Sequence, residues 1–180
     1  MSATGPARLT LVSHGMTDAM SAGLFPRDEP LNALGRRQLE ALGELRADRA
    51  VCGPELRARQ SAQQLGLTAT AEPALADLDA GGWRGRSAED LQPAELMAWL
   101  TDPDAAPPGG ESITALIDRV RGWLAAPEPG RTVAVTHPAV IRAAVLVALN
   151  APAVSFWRID VRPGGVTVLH HRGTGWTLRT

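Results

Sequence analysis

Residues 132–149, TVAVTHPAVIRAAVLVAL, carry the pattern that decides the fold. The residues before His137 are small, apolar or β-branched, as in a short buried strand, and Pro138 suits the first turn of a helix. The stretch therefore predicts a strand over 132–136 and a helix over Pro138–Leu149, with His137 at the junction. A strand that passes directly into a helix is typical of α/β proteins.

The same alternation extends over the rest of the chain. RLTLVS at 8–13 predicts another buried strand, which ends at His14 in a small, polar loop. Further strands are predicted over 50–52, 155–161, 166–170 and 176–178, and further helices over 31–45, 55–65, 87–100 and 112–126. Alternating elements with short connections predict a single domain over 1–180, of three-layer α/β architecture, with a mostly parallel central sheet and helices on both faces.

Residues 72–111 have a different composition, rich in proline and glycine and containing Trp83 and Trp99. We predict a loop-rich excursion there. Such a segment is typical of an insertion that covers a site, and equally of an irregular stretch of surface.

The charge and cysteine content exclude several classes of protein. All 18 basic residues are arginine and 19 residues are acidic, so the formal net charge is −1. Binders of nucleic acid or of membrane surfaces usually carry a clear basic excess, so neither partner is predicted. Cys52 is the single cysteine, which excludes an internal disulfide. The start, MSATGPARLTLVS, has no apolar run long enough for a signal peptide, and we predict a cytoplasmic protein whose oligomeric state stays open.

Two of the four histidines stand where predicted strands end. His14 follows LTLVS and His137 follows TVAVT, each at the step into a loop or a helix. Ligands of parallel α/β sheets bind at the carboxyl ends of the strands, which favours a functional pair over two core histidines. His170 and His171 are adjacent on a predicted strand, so their side chains point to opposite faces and make a poor metal site.

Six fragments form an ordered series over almost the whole chain. They are LVSHGMT at 11–17, EPLNALGRRQ at 29–38, LRARQSAQQL at 56–65, DLDAGGWRGRS at 77–87, PPGGES at 107–112 and VAVTHPAVIR at 133–142. In this order they resemble the motifs of the histidine phosphatase superfamily, which includes cofactor-dependent phosphoglycerate mutases and many small phosphatases. Each fragment alone is a weak signal, whereas the ordered set is specific.

The resemblance implies a phosphoglycerate mutase-like fold and a role for each motif residue. His14 would attack phosphorus and carry the phosphoryl group, and His137 and Arg57 would hold its oxygens. Asp77 would protonate the leaving oxygen and then activate water. Asp79 stays open as a rival for the acid, and Arg59 as a rival for the arginine.

The resemblance also implies phosphate contacts from two residues of the nucleophile motif, Ser13 and Thr17. Ser13 stands where the family has arginine, and a neutral side chain cannot replace that charge. Other departures also reduce the set of donors: they are Met16, Met20, Pro138 and the shorter acid Asp77.

Three explanations of Ser13 remain open. Another arginine could supply the charge, with Arg27, Arg84 and Arg86 as candidates, whereas Arg142 is expected on a helix surface. The substrate could carry a less charged group, or the pocket could bind anions without turnover.

The sequence predicts a metal-independent phosphohydrolase that acts through phospho-His14 on a small anionic or phosphorylated compound. No cofactor and no metal are predicted. The alternative is a weak or inactive homologue that binds an anionic ligand or partner.

Overall fold

The computed structural model describes residues 5–180, in which six strands form one sheet. The strands are β1 (Ala7–Ser13), β2 (Arg49–Cys52), β3 (Thr70–Ala71), β4 (Gly130–Thr136), β5 (Val166–Arg172) and β6 (Gly175–Arg179). Their order is β3-β2-β4-β1-β5-β6. Residues 1–4, at the start of the stretch for which no signal peptide is predicted, lie outside the described residues.

The sheet is mixed, with a parallel part and an antiparallel edge. Strands β3, β2, β4 and β1 run parallel to their neighbours, whereas β5 and β6 are added antiparallel beyond β1. Because β2, β4 and β1 are adjacent and parallel, their carboxyl ends meet at one edge. The α/β prediction is confirmed, and the antiparallel strands come from the chain that follows the Pro163–Gly165 turn.

Six α-helices accompany the sheet in residues 5–180. They are α1 (Asp18–Ser21), α2 (Ala33–Glu40), α3 (Leu56–Gln64), α4 (Pro93–Thr101), α5 (Ile113–Leu124) and α6 (Pro138–Leu149). Asn32 and Ser112 cap α2 and α5, as their side chains accept hydrogen bonds from Gly35 and Ala115 amides. None of these helices is long and apolar enough to cross a bilayer.

The helices form a layer on each face of the sheet. Leu9, Leu11 and Ala134 belong to the apolar cluster that includes α5 and α6. Val12 and Val135, which alternate with them, pack in the cluster on the α2 and α3 side. Both faces of the central strands are therefore buried, as the predicted three-layer architecture requires.

Two predicted elements are wrong. The helix over 87–100 is divided into a 3₁₀ turn at Ala88–Asp90 and helix α4, because Pro93 requires an extended residue before it, and Gln92 has ψ 126°. The strand over 155–161 is instead a 3₁₀ helix at Ala153–Arg158. Phe156 is the buried residue of that segment, so its apolar residues share no sheet face.

The loop after His14 lies directly against helix α2. A β-carbon on Gly15 would lie 2.5 Å from the carbonyl oxygen of Gly35, and one on Gly35 would lie 2.6 Å from the amide nitrogen of Met16. Both contacts are with backbone, which cannot move aside as a side chain can. These two glycines let the loop after His14 and helix α2 approach each other closely.

We expect Gly35→Ala to lower the free energy of unfolding by about 1–3 kcal/mol, because the added methyl group overlaps the Met16 backbone. Gly122→Ala is the matched control, since Gly122 lies within α5 and a β-carbon there meets no atom within 4 Å. That control should gain up to about 1 kcal/mol from helix propensity. Urea unfolding of both variants measures the difference, and equal effects would contradict the close approach.

Candidate active site

Three polar side chains follow three adjacent parallel strands at one edge of the sheet. His14 follows β1, His137 follows β4, and Glu55 lies three residues beyond the end of β2. The two imidazole rings are edge to face, with centroids 5.1 Å apart. The structure therefore brings together the two histidines that the sequence places at strand ends.

The hydrogen bond of His14 fixes its tautomer. Nδ1 lies 2.8 Å from the carbonyl oxygen of Gly15, so this nitrogen donates and Nε2 keeps its lone pair. Burial, reinforced by the positive charges of His137 and Arg57, lowers the pKa of His14 to about 3. The ring is neutral at physiological pH, with a free nitrogen.

Arg57 is buried on the face of α3 that turns toward the histidines. Its side chain is 2% exposed, and Nη2 donates to Asp77 Oδ2 at 2.5 Å while Nη1 donates to the Arg27 carbonyl at 2.8 Å. Arg59, two residues on, is exposed. Of the two candidate arginines, the structure places Arg57 in the site.

Asp77 lies between Arg57 and His137. Its Oδ2 is also 3.4 Å from His137 Nδ1. Burial by itself would raise the pKa of the Asp77 carboxyl, but the positive charges of His137 and Arg57 outweigh it and hold this pKa below its usual value. Asp79 instead pairs with the exposed Arg84 at 2.5 Å, so the structure places Asp77 alone of the two next to the histidines.

Glu55 is a site residue that the sequence reasoning missed. Its Oε2 lies 2.6 Å from His137 Nε2, and its Oε1 accepts a hydrogen bond from the Asp77 amide. Burial tends to raise the pKa of Glu55, but the hydrogen bond and charge of His137 lower it overall. An acid just beyond a third parallel strand was the available signal.

The segment that carries Asp77 is held by Arg119 of α5. This guanidinium donates to the carbonyls of Ala74 and Ala76 and makes a two-pronged contact with Glu111. Glu111 belongs to the PPGGES fragment, which explains structurally why that fragment lies near the acid. Nothing in the local sequence of α5 shows that Arg119 reaches this loop.

Ser13 and Thr17 occupy buried positions on either side of the nucleophile. Ser13 is fully buried, and its Oγ has no hydrogen-bond partner among residues 5–180. Thr17 Oγ1 accepts a hydrogen bond from the Met20 amide and caps α1. Its contact is therefore with the helix, and the phosphate-binding role of both residues stays a prediction.

Helix α6 contributes Arg142, which was expected on the surface. Its Nε donates to the Ile159 carbonyl at 2.7 Å, and its guanidinium lies over Trp157, 5.4 Å from the ring centroid. Burial lowers the pKa of Arg142, although the carboxylates of Asp160 and Asp77 act in the opposite direction. Arg142 is half-buried and lines the same cavity as His14, so the surface interpretation is wrong.

Two cavities meet at Arg57 and Asp77. The first, about 230 Å³, contains His14 and Arg142 as its other charged or titratable lining groups. The second, about 740 Å³, is lined by Arg27 and Arg84 among others. Those two arginines, proposed from sequence to replace the missing charge, thus do not line the cavity of the nucleophile. Arg86, the third, donates instead to the Asp90 carbonyl.

Comparison with known proteins identifies the family. The model of the histidine phosphatase superfamily, branch 1, matches residues 9–180. The chain therefore belongs to the histidine phosphatase superfamily, as the motifs predicted.

Several relatives are phosphatases. The adenosylcobalamin/alpha-ribazole phosphatase of Salmonella typhimurium is 31% identical, and the match covers 87% of each chain. The crystal structure of a putative alpha-ribazole-5'-P phosphatase from Escherichia coli has a TM-score of 0.85 at 27% identity, covering 96% of this chain and 94% of that one. Mycobacterial glucosyl-3-phosphoglycerate phosphatase Rv2419c, in its structure with VO3, has a TM-score of 0.84 at 27% identity, covering 96% and 97%.

Other relatives are longer than this chain. The bifunctional protein Rv2228c of Mycobacterium tuberculosis and two further mycobacterial proteins are 28% identical to it, over 94% of this chain and 52% of theirs. The chain spans about half the length of these curated relatives.

We expect His14 to stay neutral, with its proton on Nδ1, between pH 8 and pH 5. Its pKa is lowered to about 3, so the proton is gained only below this range. Nitrogen NMR of the imidazole groups measures this directly: the Nε2 resonance should keep the shift of an unprotonated nitrogen. The spectrum of His14→Asn assigns the signal. A titration of His14 near pH 6.5 would contradict the burial and charge argument.

Proposed function

We propose that the protein is a phosphohydrolase that acts on a small phosphorylated compound through a phosphohistidine at His14, without a metal. The state of His14 carries the proposal. A buried ring that is neutral, anchored through Nδ1 to the Gly15 carbonyl and placed beside Arg57 has the one property that attack on phosphorus requires, a lone pair on Nε2.

The first step transfers the phosphoryl group to His14. Nε2 forms a bond to phosphorus, the bond from phosphorus to the leaving oxygen breaks, and that oxygen takes a proton from Asp77. The Nδ1–H group of His14 continues to donate its hydrogen bond to the Gly15 carbonyl, and this hydrogen bond stabilises the positive charge of the phosphorylated imidazole. In the second step Asp77 removes a proton from water, the water oxygen bonds to phosphorus, and the bond to Nε2 breaks.

Asp77 must gain a proton before it can serve as an acid. In the free protein its carboxylate is ionised because it pairs with Arg57. A phosphoryl group that binds Arg57 removes this partner from Asp77 and brings negative charge close to it. Both effects raise the pKa of a carboxyl group, so binding of the substrate favours protonation of the acid.

Two side chains, those of Arg57 and His137, would contact the phosphoryl oxygens from the sheet side. Arg57 offers guanidinium donors that now contact Asp77. His137 directs Nε2 to Glu55 and has Nδ1 turned toward Asp77. Nδ1 of His137 has no hydrogen-bond partner among residues 5–180, so it stays available to a group bound beside Asp77.

Arg142 is our candidate for the charge that Ser13 lacks. Ser13 lies on the face of β1 that turns toward α6, because Leu11 and Leu9, two and four residues earlier, pack in the cluster that contains α6. Long side chains of a helix lean toward its amino end, which for α6 is His137. Arg142 therefore supplies a cation from the layer opposite Arg57.

A second function, anion binding without turnover, is favoured by Ser13 itself. Its side chain has no charge and is sealed from solvent, and the loss of one oxyanion donor can cost about 10²–10³ in rate. The two functions differ in whether a covalent intermediate forms.

We expect 4-nitrophenyl phosphate to leave one phosphoryl group on the wild-type protein, stable in base and lost in acid. Intact mass measurement after rapid denaturation detects it. His14→Ala should show none, and the control His170→Ala should label as the wild type does. Asp77→Asn should accumulate the label, because 4-nitrophenolate leaves without a proton whereas hydrolysis of the intermediate needs the base. Binding of the substrate without any label would favour the second function.

We expect Arg142→Ala to lower kcat/KM by about 10²–10³-fold, the cost of one transition-state donor. Ser13→Arg should restore activity in the Arg142→Ala protein far more than it increases wild-type activity. Arg142→Lys keeps the charge, so its kcat/KM should lie between those of the wild type and Arg142→Ala. This variant tests the role of the charge if Ser13→Arg does not fold. Arg84→Ala is the matched control, and if it and Arg142→Ala have equal effects, Arg142 is not the replacement.

A further inference from the structure

The cavity that contains His14 has an unusual wall for a phosphate site. The cavity has a volume of about 230 Å³. Its lining side chains are apolar except for those of His14, Arg57, Asp77 and Arg142. The wall includes Leu24, Phe25, Pro107, Trp99 and Trp157. These residues come from separate parts of the chain, so the apolar surface is a product of the tertiary fold.

The aromatic part of this wall is held rigidly. Trp99 is in edge-to-face contact with Trp157, with centroids 4.7 Å apart, and with Phe25 at 5.6 Å. Trp83, buried behind them, contacts both Phe25 and Trp99. Edge-to-face packing fixes the ring planes, so the surface is in place before a ligand binds.

Part of the wall is open to solvent. Leu24 and Trp157 each expose 36% of their surface, although both are large and apolar. The guanidinium of Arg142, which lines the same cavity, lies over the Trp157 ring at 5.4 Å from its centroid. A ligand that covers these side chains gains the free energy of removing apolar surface from water.

In-line transfer specifies which part of the substrate meets this wall. The leaving oxygen stands on the side of phosphorus opposite Nε2 of His14. Two cavities adjoin Asp77, and we assign the leaving alcohol to the apolar one because it is the one of the two that both His14 and Asp77 line.

We propose that this cavity is a leaving-group subsite for a flat apolar alcohol, so that the preferred substrates are phosphomonoesters with an aromatic ring. The proposal rests on the proposed function only for the identity of the leaving group. A dry apolar cavity of about 150 Å³ holds one benzene molecule, so this cavity has room for a ring beside the phosphoryl group. Among the side chains of this apolar wall, only the indole N–H groups of Trp99 and Trp157 could hydrogen-bond the hydroxyl groups of a sugar or glycerol, and the others would leave those hydroxyl groups unpaired.

The kinetic test compares two alkyl esters whose alcohols have similar acidity, 2-phenylethyl phosphate and ethyl phosphate. We expect kcat/KM to be roughly 10- to 100-fold higher for the phenyl ester, the range for burying one such ring. Leu24→Asn and Trp157→Ala should each reduce this ratio. Leu149→Asn, at an exposed leucine at the end of α6 that does not line the cavity, should leave both the ratio and the activity at wild-type values.

A binding test separates this proposal from the function on which it rests. Calorimetry with the uncleavable 2-phenylethylphosphonate and ethylphosphonate should give a Kd ratio in the same direction and range. Tighter binding of the phenyl compound without hydrolysis of either ester would overturn the phosphohydrolase and keep the subsite. Hydrolysis of both esters with equal kcat/KM and equal Kd would overturn the subsite and keep the phosphohydrolase. If neither phosphonate binds, the subsite is overturned as well.

Discussion

The buried charge of Arg57 is the constraint on which the site depends. A guanidinium that is 2% exposed must be paired and hydrogen-bonded, because an unpaired charge in the interior is very costly. The pairing is with Asp77 and with the Arg27 carbonyl, so one side chain of α3 holds two loops from different parts of the chain. Asp77 in turn contacts His137, and the site closes around these charges.

The same charges set the state of the nucleophile. Burial lowers the pKa of His14, and the positive charges of His137 and Arg57 lower it further. These surroundings keep the ring neutral, and in the proposed mechanism the same arrangement would serve both phosphoryl binding and attack. The same charges hold the pKa of Asp77 below its usual value, so in the proposed mechanism this acid depends on the substrate for its proton.

Local sequence gave good predictions where one segment contains all the information. Helix α6 has its predicted bounds, Pro138–Leu149, because proline sets its start and the apolar pattern continues to its end. Pro93 was a local signal as well, and the helix predicted across it is divided there. The strand predicted over 155–161 failed for another reason, because alternating apolar residues do not show whether a sheet edge is free to accept them.

The residues of the candidate site likewise fall into those that the sequence predicted and those that it did not. His14, His137, Arg57 and Asp77 stand in motifs and could be named from the sequence, and the structure brings the four together. Glu55, Arg119 and Arg142 were not assigned, because the family motifs give them no role and each contacts a partner more than ten residues away in the chain. Arg142 in particular looks like a helix surface residue until the segment around Trp157 is packed against it.

The sequence by itself determined the α/β class, the family and the residues that we propose for the reaction, because short-range periodicity and ordered motifs are properties of the chain. The absence of an arginine at Ser13 was also visible there. Only the tertiary structure decided which arginine lines the nucleophile cavity and that the cavity wall is aromatic. Those features depend on which side chains from distant segments pack against one another, and a local sequence pattern does not predict such contacts.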